Sequence, residues 1–336
     1  MKKINVAING FGRIGRAALK VISMRFPNLN VVAINDLTDP QTLAHLLKYD
    51  SCYGATLNKI SATKDAIIIE GRKIPVLAIK SPADLPWRSL KVDLVLECTG
   101  RFTTKDDLSL HLKAGAKKVV LSAPAKKGGV KTIVIGVNHE KVNKTDDILS
   151  CASCTTNCLA PVTSIIKEAF GIKKALMTTI HSYTADQNLV DGPHKDLRRA
   201  RAAAINIIPT TTGAAISTTE AIPSLKNKFD GLAVRVPTPV GSLCDTVYLL
   251  NKKTSTESVN KILVKYAKGK MRGIVEASEA ELVSSDIIGN SHSAIVDLKN
   301  TKVVGGDLLK IISWYDNEWG YTNRFVELAN YLSKLI

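Results

Sequence analysis

Length, composition and charge limit the classes of protein to which this chain can belong. Its 336 residues are enough for two domains, and a mean hydropathy of +0.05 with 45% hydrophobic residues is ordinary for a globular protein. No apolar run approaches the ~20 residues that a membrane helix needs, and the first residues do not predict a signal peptide. Six cysteines are too few for a disulfide-stabilised domain, so we expect reduced thiols and a cytoplasmic location.

The net charge of +16 predicts affinity for anions of several kinds. Phosphorylated metabolites, dinucleotides and nucleic acid would all be attracted by it. The lysines are spread along the chain in pairs, which favours a solvated surface over a dedicated nucleic-acid face. Nucleic acid is therefore expected only as a secondary partner.

The first 150 residues alternate between β-rich runs and helical patterns. Strands are predicted at residues 4–9, 31–35, 92–98, 118–122 and 132–137, and helices at 13–26, 40–48 and 105–114. Such alternation predicts parallel strands joined by crossover helices, as in a Rossmann-type α/β sheet.

Beyond residue 150 the β-rich runs are longer. Strands are predicted at residues 175–183, 231–236, 244–250, 294–298 and 307–315, and helices at 154–170, 213–222 and 257–268. This spacing predicts an α+β domain with a largely antiparallel sheet. We therefore predict a first domain at 1–153 and a second at 154–319, with a helix at 320–336 that docks on the first.

A glycine motif after the first strand predicts a dinucleotide site. Gly10, Gly12 and Gly15 form G-x-G-x-x-G between a predicted strand and a predicted helix, where the turn and the helix amides would receive a pyrophosphate. Asp36 ends the second strand and would bind the ribose hydroxyls while repelling a 2′-phosphate. The motif thus favours NAD over NADP, and the alternative is a glycine-rich turn without a ligand.

A thiol at a predicted helix start indicates covalent catalysis. Cys154 begins the helix 154–170, where amides and the helix dipole stabilise a thiolate and lower its pKa. His181, on the following strand, would supply the base. A redox pair of Cys151 with Cys154, a buried structural histidine and a metal site are the alternatives. We predict no metal, because no fourth cysteine or paired histidine lies nearby in sequence.

Several longer motifs resemble phosphorylating glyceraldehyde-3-phosphate dehydrogenases. They are INGFGRIGR, NDL, ECTGR, ASCTTNC, DLRRAR, PTTTGAA and WYDNEWGY, and the similarity extends over essentially the whole chain. The resemblance implies a glycolytic homotetramer that oxidises glyceraldehyde 3-phosphate to 1,3-bisphosphoglycerate with NAD and inorganic phosphate. Cys154 would form a hemithioacetal and then a thioester, with His181 as the base.

The same resemblance implies further site residues. Matching positions for NAD are Arg13, Ile14, Asp36, Ser122 and Asn317, with Lys80 where the family usually has an arginine beneath the adenine. Thr184 and Arg235 would bind the C3 phosphate of the substrate. The attacking phosphate would be bound by Ser153, Thr155, Thr212 and Gly213, and Arg199 would lie between the two anion sites if it points inward.

Two features leave alternatives open. Cys151 replaces a common asparagine, and we hypothesise that this extra thiol makes the enzyme sensitive to peroxide. Erythrose-4-phosphate dehydrogenase is the nearest functional rival, although the intact TGAA and SYT segments favour phosphorolysis. Aspartate-semialdehyde dehydrogenase and a secondary role in nucleic-acid binding or adhesion are the more distant ones.

Overall fold

The computed structural model describes residues 3–336, and the chain divides into two units. The first unit comprises the described residues up to Ile133, together with His139–Ala152 and Thr322–Ile336. The second comprises Val134–Asn138 and Ser153–Tyr321. Within residues 3–336, no helix is both long enough and apolar enough to cross a membrane.

The first unit contains a mostly parallel sheet. Its strands and helices are β1 (Ile4–Asn9), α1 (Arg13–Arg25), β2 (Leu29–Asn35), α2 (Pro40–Lys48), β3 (Tyr49–Asp50), β4 (Gly54–Ala55), β5 (Ile60–Ala62), β6 (Ala66–Ile69), β7 (Arg72–Leu77), β8 (Leu94–Glu97), α3 (Lys105–Lys113), β9 (Lys118–Leu121), β10 (Lys131–Thr132) and β11 (Ile148–Ser150). Among the described residues, nine strands form this sheet in the order β10-β11-β9-β8-β1-β2-β7-β6-β5. Trp87 and Leu108 pack with Val95, Val119 and Leu121 in one core of this unit.

The strands from β10 to β7 in that order run parallel, whereas β5, β6 and β7 pair antiparallel. Strands β5 to β7 were not predicted because no long alternating run of apolar residues marks them. The strand predicted at 132–137 is wrong beyond Thr132. Gly136 has φ of +85°, and the amides of Val137 and Asn138 donate to Val134, so this apolar run makes a buried turn.

The second unit contains a mixed, mainly antiparallel sheet. Its elements are α4 (Cys154–Phe170), β12 (Ile172–Ser182), β13 (Ile208–Thr210), α5 (Ala214–Ala221), β14 (Phe229–Val236), β15 (Ser242–Leu250), α6 (Thr256–Lys268), β16 (Val275–Ser278), β17 (Ala294–Asp297), β18 (Lys302–Val304) and β19 (Leu308–Tyr315). The last helix, α7 (Trp319–Ser333), begins in this unit, and its residues from Thr322 onward belong to the first. In the described chain the sheet order is β13-β14-β12-β15-β19-β17-β16, with β18 beside β19. The pairs β12–β14 and β16–β17 are parallel.

The predicted fold class is confirmed, with a Rossmann-type parallel sheet and a second, largely antiparallel sheet with helices. The carboxyl ends of β1, β2, β8 and β9 lie at one edge of the first sheet, where ligands bind in sheets of this kind. In the second unit, β12 and β14 run side by side towards their own carboxyl ends. These two edges position the candidate site residues.

Candidate active site

The glycine turn after β1 has the backbone geometry that close approach to a phosphate requires. Gly10 has φ of +90°, and a Cβ there would lie 2.6 Å from the amide nitrogen of Thr99. A Cβ on Gly15 would lie 2.1 Å from the Gly10 oxygen, so neither position has room for a side chain. Among the described residues, no atom outside the immediate chain neighbours lies within 4 Å of the Cβ position of Gly12.

The start of α1 fits an anionic ligand. Its N-cap residue, Gly12, provides no side-chain cap, and its first turn contains no acidic residue. A helix start without a side-chain cap or a nearby carboxylate suits the negative charge of a pyrophosphate. Arg13 and Ile14 begin this helix, and the Arg13 guanidinium donates to Asp50 at 2.7 Å and lies over the Tyr53 ring. Asp50 and Tyr53 fix this guanidinium in position.

The other NAD contacts predicted for the first unit follow strand ends. Asp36 follows β2, and its Oδ2 accepts a hydrogen bond of 2.7 Å from the Phe11 amide, which ties the acidic side chain to the glycine turn. Ser122 follows β9 and is half-buried, and its amide donates to the Glu97 carbonyl. Lys80 is exposed. The turn, the uncapped helix start and the Asp36 carboxylate fit a dinucleotide with free ribose hydroxyls.

In the second unit, Cys154 is the first residue of α4, as predicted. The helix is capped by Ser153, whose hydroxyl oxygen accepts a 3.0 Å hydrogen bond from the Thr156 amide. Ala152, just before the cap, has φ of +58°, a left-handed conformation that is uncommon for a residue with a side chain. This sharp turn and the cap together fix the thiol at the helix start.

His181 contacts this thiol from β12. The Sγ of Cys154 lies 3.4 Å from His181 Nε2, and His181 Nδ1 lies 2.6 Å from the carbonyl oxygen of Ser182. Nδ1 also lies 3.1 Å from Arg235 Nη1, which can only donate, so Nδ1 cannot form hydrogen bonds with both neighbours. The shorter contact is the one with the carbonyl, which only accepts, and it assigns the proton to Nδ1 and makes Nε2 the acceptor that faces the thiol. The imidazole is thus in the tautomer that a base for Cys154 needs.

Burial is the largest cause of the pKa shifts of Cys154 and His181. It raises the pKa of the Cys154 thiol to about 11, although the charge of Arg235 lowers it. Burial and the Arg235 charge together lower the pKa of His181 to about 3. The prediction of a low thiol pKa is therefore wrong, because desolvation outweighs the helix amides and the guanidinium.

Arg235 belongs to the same cluster through strand pairing. It lies opposite His181 in the parallel β12–β14 pair, and the two side chains are adjacent although 54 positions separate them. Its guanidinium donates to the Ser182 carbonyl and to the Thr184 hydroxyl, both at 3.0 Å. The Nε of Arg235 is buried without a hydrogen-bond partner among the described residues. A donor in this state is suited to an anionic ligand.

The Asp186 carboxylate links Thr184 to Arg199 in this cluster. Asp186 accepts a hydrogen bond from the Thr184 hydroxyl and one of 2.6 Å from Arg199. Burial raises the pKa of Asp186, but the Thr184 hydrogen bond and the charges of Arg235 and Arg199 together bring it below its usual value. Arg199 also donates to the Thr210 hydroxyl, and its side chain is 19% exposed. It is thus held within this cluster by Asp186 and Thr210.

The residues predicted for the attacking phosphate lie at two helix starts. Ser153 and Thr155 open α4, while Gly213 is the N-cap of α5 and offers no side-chain cap. The Thr212 hydroxyl accepts from the Ala214 amide at 3.2 Å. Amides and hydroxyls at helix N-termini are the donors that phosphate oxygens require.

Asn317 follows β19 and is almost fully buried. Its Oδ1 accepts from the Gly241 amide at 3.0 Å and from the Ser242 hydroxyl at 2.9 Å. A main-chain amide only donates, so the amide orientation of Asn317 is fixed. Its Nδ2 remains as a directed donor, which suits the predicted contact with a carboxamide oxygen.

The other cysteines occupy different environments. Cys158, one turn along α4, is fully buried and donates to the Ser313 carbonyl at 3.7 Å. Cys151 and Cys244 are also fully buried, whereas Cys52 and Cys98 are half-buried. In residues 3–336 no group of histidine, cysteine and acidic side chains is arranged to hold a metal ion.

Comparison with known proteins agrees with the sequence motifs. Residues 153–317 match the family profile described as "Glyceraldehyde 3-phosphate dehydrogenase, C-terminal domain", and residues 4–105 match "Glyceraldehyde 3-phosphate dehydrogenase, NAD binding domain". The chain is 50% identical to glyceraldehyde-3-phosphate dehydrogenase of Geobacillus stearothermophilus over 331 residues, 98% of each chain. The chain belongs to the glyceraldehyde 3-phosphate dehydrogenase family.

Other relatives within this family are equally similar. The chain is 50% identical over 332 residues to glyceraldehyde-3-phosphate dehydrogenase 1 of Bacillus subtilis, with 98% of each chain covered. It is 49% identical over 327 residues to glyceraldehyde-3-phosphate dehydrogenase 2 of Streptomyces avermitilis, with 97% of each covered. These findings confirm the predicted family, an NAD-dependent oxidoreductase, and NAD as its cofactor.

The structure places two further side chains in the site, Tyr315 and Asp186, which the sequence motifs did not predict. Tyr315 is buried, and its hydroxyl lies 2.9 Å from those of Thr155 and Thr179, with its ring edge-on to His181. Asp186 bridges Thr184 and Arg199. The signals were Tyr315's place in the WYDNEWGY motif and Asp186's place two residues after Thr184.

Proposed function

We propose that this chain oxidises D-glyceraldehyde 3-phosphate to 1,3-bisphosphoglycerate in glycolysis, with NAD and inorganic phosphate as co-substrates. The observation that carries the proposal is the 3.4 Å contact between Cys154 Sγ and the unprotonated Nε2 of His181 at the start of α4. Relatives of this chain are named glyceraldehyde-3-phosphate dehydrogenase. The roles of the individual residues below are part of the proposal.

The first step needs a nucleophile and a base in contact. As Cys154 Sγ bonds to the aldehyde carbon, its proton passes to His181 Nε2, and the imidazolium returns that proton to the carbonyl oxygen. A hemithioacetal results. His181 can accept the proton because its Nδ1–H is already committed to the Ser182 carbonyl.

Oxidation of this adduct uses the same base. Bound NAD supplies the hydride acceptor, and Asn317 would orient its carboxamide through the free Nδ2. His181 removes the hydroxyl proton as the hydride leaves, which converts the hemithioacetal to a thioester. The thioester retains the energy of the oxidation until phosphate removes the acyl group.

Two sets of donors are suited to the two phosphates. Arg235, with its unpartnered buried Nε, and Thr184 would bind the C3 phosphate of the substrate. Ser153, Thr155, Thr212 and Gly213 would bind inorganic phosphate beside the thioester. Arg199 would serve both, and the substrate phosphate would take over the contacts that Asp186 makes with Thr184 and Arg199.

The deciding assay is NAD reduction with glyceraldehyde 3-phosphate in the presence and absence of inorganic phosphate. We expect multiple turnovers only when phosphate is present, with an acyl phosphate as the product. Turnover that ignores phosphate would instead favour the hydrolytic rival, and preference for erythrose 4-phosphate as substrate would identify it.

The assembly, location and domain limits are further parts of this proposal. A homotetramer is supported by exposed apolar side chains on one segment of the second unit, namely Leu189, Val190, Leu197, Ile205 and Ile207. Light scattering after gel filtration tests it. We also propose a cytoplasmic location and domains at 1–153 and 154–319, with 320–336 part of the first.

Nucleic acid is a secondary candidate partner, supported only by the net charge of +16. Filter binding of RNA, with and without NAD, tests it. Competition by NAD would indicate that RNA uses the cofactor groove, and no binding at physiological salt would exclude RNA as a partner.

A further inference from the structure

A fully buried carboxylate lies at the carboxyl end of β8, at the ligand-binding edge of the first sheet. Glu97 Oε2 accepts from Asn9 Nδ2 at 2.6 Å and contacts His111 Nε2 at 3.1 Å. Its Oε1 accepts from both the amide and the hydroxyl of Thr99. Four donors thus converge on one carboxylate that can only accept and has no access to water. Removal of any one donor would leave a buried acceptor unsatisfied and lower the stability of the fold.

The tautomer of His111 is fixed from its other side. The indole Nε1–H of Trp87 donates to His111 Nδ1 at 3.0 Å, and an indole nitrogen can only donate. His111 Nδ1 is therefore an acceptor, and Nε2 carries the proton that points at Glu97. Trp87, His111 and Glu97 are all fully buried, so the three form a directed chain from the protein core to the sheet edge.

The hydrogen bonds continue across the neighbouring parallel strands. Asn9 Oδ1, at the end of β1, accepts from Asn35 Nδ2 at 2.7 Å, at the end of β2. The Asn35 side chain then donates to the Ile79 carbonyl and accepts from the Ile79 amide, at 2.9 and 3.0 Å. One buried network thus joins the carboxyl ends of β8, β1 and β2 and the segment after β7.

Three links of this network each stand one residue before a proposed NAD contact. Asn9 precedes Gly10, Asn35 precedes Asp36, and Ile79 precedes Lys80. The backbone reinforces the arrangement, because the Gly10 amide donates to the Asn35 carbonyl at 2.8 Å.

We propose that Glu97 and His111 are positioning residues for the cofactor, acting through Asn9 and Asn35 to hold the glycine turn, Asp36 and Lys80 at the spacing that NAD requires. The inference rests on the NAD contacts proposed above. Neither residue needs to touch the cofactor, since their effect is to preorganise three separate strand ends before binding. If the network were disordered, NAD would have to order it on binding, and this ordering would lower the affinity for NAD.

The test measures NAD affinity directly, by fluorescence titration of the purified protein, alongside steady-state kinetics. Glu97→Gln replaces one of the two acceptor oxygens by an amide donor, which must face either Asn9 and His111 or Thr99. His111→Phe removes one donor and leaves the Trp87 indole without an acceptor. For both we expect the Kd for NAD to rise by ~10-fold or more, because a misplaced donor disrupts a buried network. The KM for glyceraldehyde 3-phosphate and kcat at saturating NAD should change by less than about twofold, since Cys154 and His181 are untouched.

Two comparisons separate positioning from general stability. His111→Gln keeps an amide that can donate to Glu97 and accept from Trp87, so it should restore most of the NAD affinity that His111→Phe loses. Tyr248→Phe breaks a buried hydrogen bond of 2.9 Å to Thr163 in the second unit, and it should lower the melting temperature without changing the Kd for NAD. The ratio of NAD to NADP affinity is a further readout, because a displaced Asp36 would repel NADP less.

The outcomes are distinct. Wild-type Kd values for NAD in folded Glu97→Gln and His111→Phe would overturn the inference, as would equal weakening by Tyr248→Phe. Should Glu97→Gln and His111→Phe both fail to fold, Trp87→Phe is a milder change that removes only the indole donor fixing the His111 tautomer. An unchanged Kd for NAD in Trp87→Phe would also overturn the inference. A wild-type protein that does not bind NAD would instead contradict the proposed function.

Discussion

The dinucleotide edge of the first unit and the thiol site of the second are assembled in opposite ways. The first presents backbone that is local in sequence, with Gly10, Gly12 and Gly15 making one turn and opening one helix, and distant side chains only hold that turn in place. The second depends on side chains distant in sequence, because His181 and Arg235 meet only through the pairing of β12 with β14. Binding of the cofactor and the covalent chemistry are therefore expected to respond to different substitutions.

This difference shows which part of the protein tolerates change. A turn made of backbone amides has few side chains of its own to lose and depends on side chains only through the network that holds it, whereas a cluster that relies on one thiol, one imidazole and one guanidinium fails when any of them is replaced. Substitutions in the thiol site should abolish or slow catalysis and spare NAD binding. Substitutions at the strand ends of the first unit should do the reverse.

The largest expected effect is at Cys154. We expect Cys154→Ser to reduce kcat by ~10⁴-fold or more, since a hydroxyl neither adds to the aldehyde as readily nor forms a thioester. NAD affinity, measured by fluorescence titration, should stay within about threefold of wild type because the glycine turn and Asp36 are unchanged.

Cys158→Ser is the matched control, because it changes a second thiol on the same helix that the mechanism does not use. It should keep most of the activity. An active Cys154→Ser protein, or loss of activity in Cys158→Ser with Cys154 intact, would contradict the assignment of the nucleophile.

The second expected effect concerns Arg235 and the pH dependence of the thiol. Its charge lowers the pKa of Cys154 and also that of His181. Arg235→Gln should therefore shift the pH profile of thiol alkylation to higher pH, because the thiolate loses a stabilising charge. It should also raise the KM for the phosphorylated substrate ~10-fold or more, through loss of charge-assisted hydrogen bonds.

Arg235→Lys keeps the charge but cannot make the same pair of hydrogen bonds, so it should keep the alkylation profile and still raise the KM. In wild type, burial predicts an alkylation rate that keeps rising towards the thiol pKa of about 11. A plateau reached below neutral pH would show instead that a thiolate–imidazolium pair forms despite burial.

Locality also explains how much of the molecule could be predicted from sequence. Helix α1 was predicted within one residue, because its apolar period and Pro27 are local signals. The strand at 132–137 was wrong beyond Thr132, since the apolar run looks extended until Gly136 turns it. The residue types of the active site were predicted, but the high thiol pKa was not, because burial is a property of the folded chain.

The roles of Asp186 and Tyr315 could not be predicted for a related reason. Asp186 contacts Arg199 across a loop, and Tyr315 reaches Thr179 from a strand that is 136 positions away. Their positions beside the WYDNEWGY motif and Thr184 draw attention to these residues, but no spacing rule in the sequence indicates which side chains they contact. The resemblance to a family identified the surrounding motifs, while the hydrogen bonds of these two side chains required the structure.

A smaller effect is expected at Asp36, which tests the selectivity of the first unit. Asp36→Ala removes both the charge that would repel a 2′-phosphate and the acceptor for the Phe11 amide. We expect the preference for NAD over NADP to fall ~10-fold, measured as the ratio of kcat/KM values. Asp36→Asn keeps the acceptor and removes the charge, so it should admit NADP while disturbing NAD binding less.

An unchanged cofactor ratio in both Asp36 variants would show that selectivity lies elsewhere. It would also weaken the contrast between the two units, because the first would then owe its specificity to something other than this acidic strand end. A fall in kcat without any change in NAD affinity would contradict the separation of binding from chemistry.

The smallest expected effect is at Cys151, three positions before the nucleophile. This thiol is fully buried, and its amide donates to the Leu121 carbonyl at 3.0 Å. Peroxide reaches buried thiols slowly, so we expect Cys151→Ser to slow peroxide inactivation by only about twofold. Cys98→Ser, in the half-buried position after β8, is the control and should leave the rate unchanged. An unaltered rate in Cys151→Ser would exclude Cys151 as the source of the oxidative sensitivity and would point to Cys154, where the reactive thiol lies beside its base.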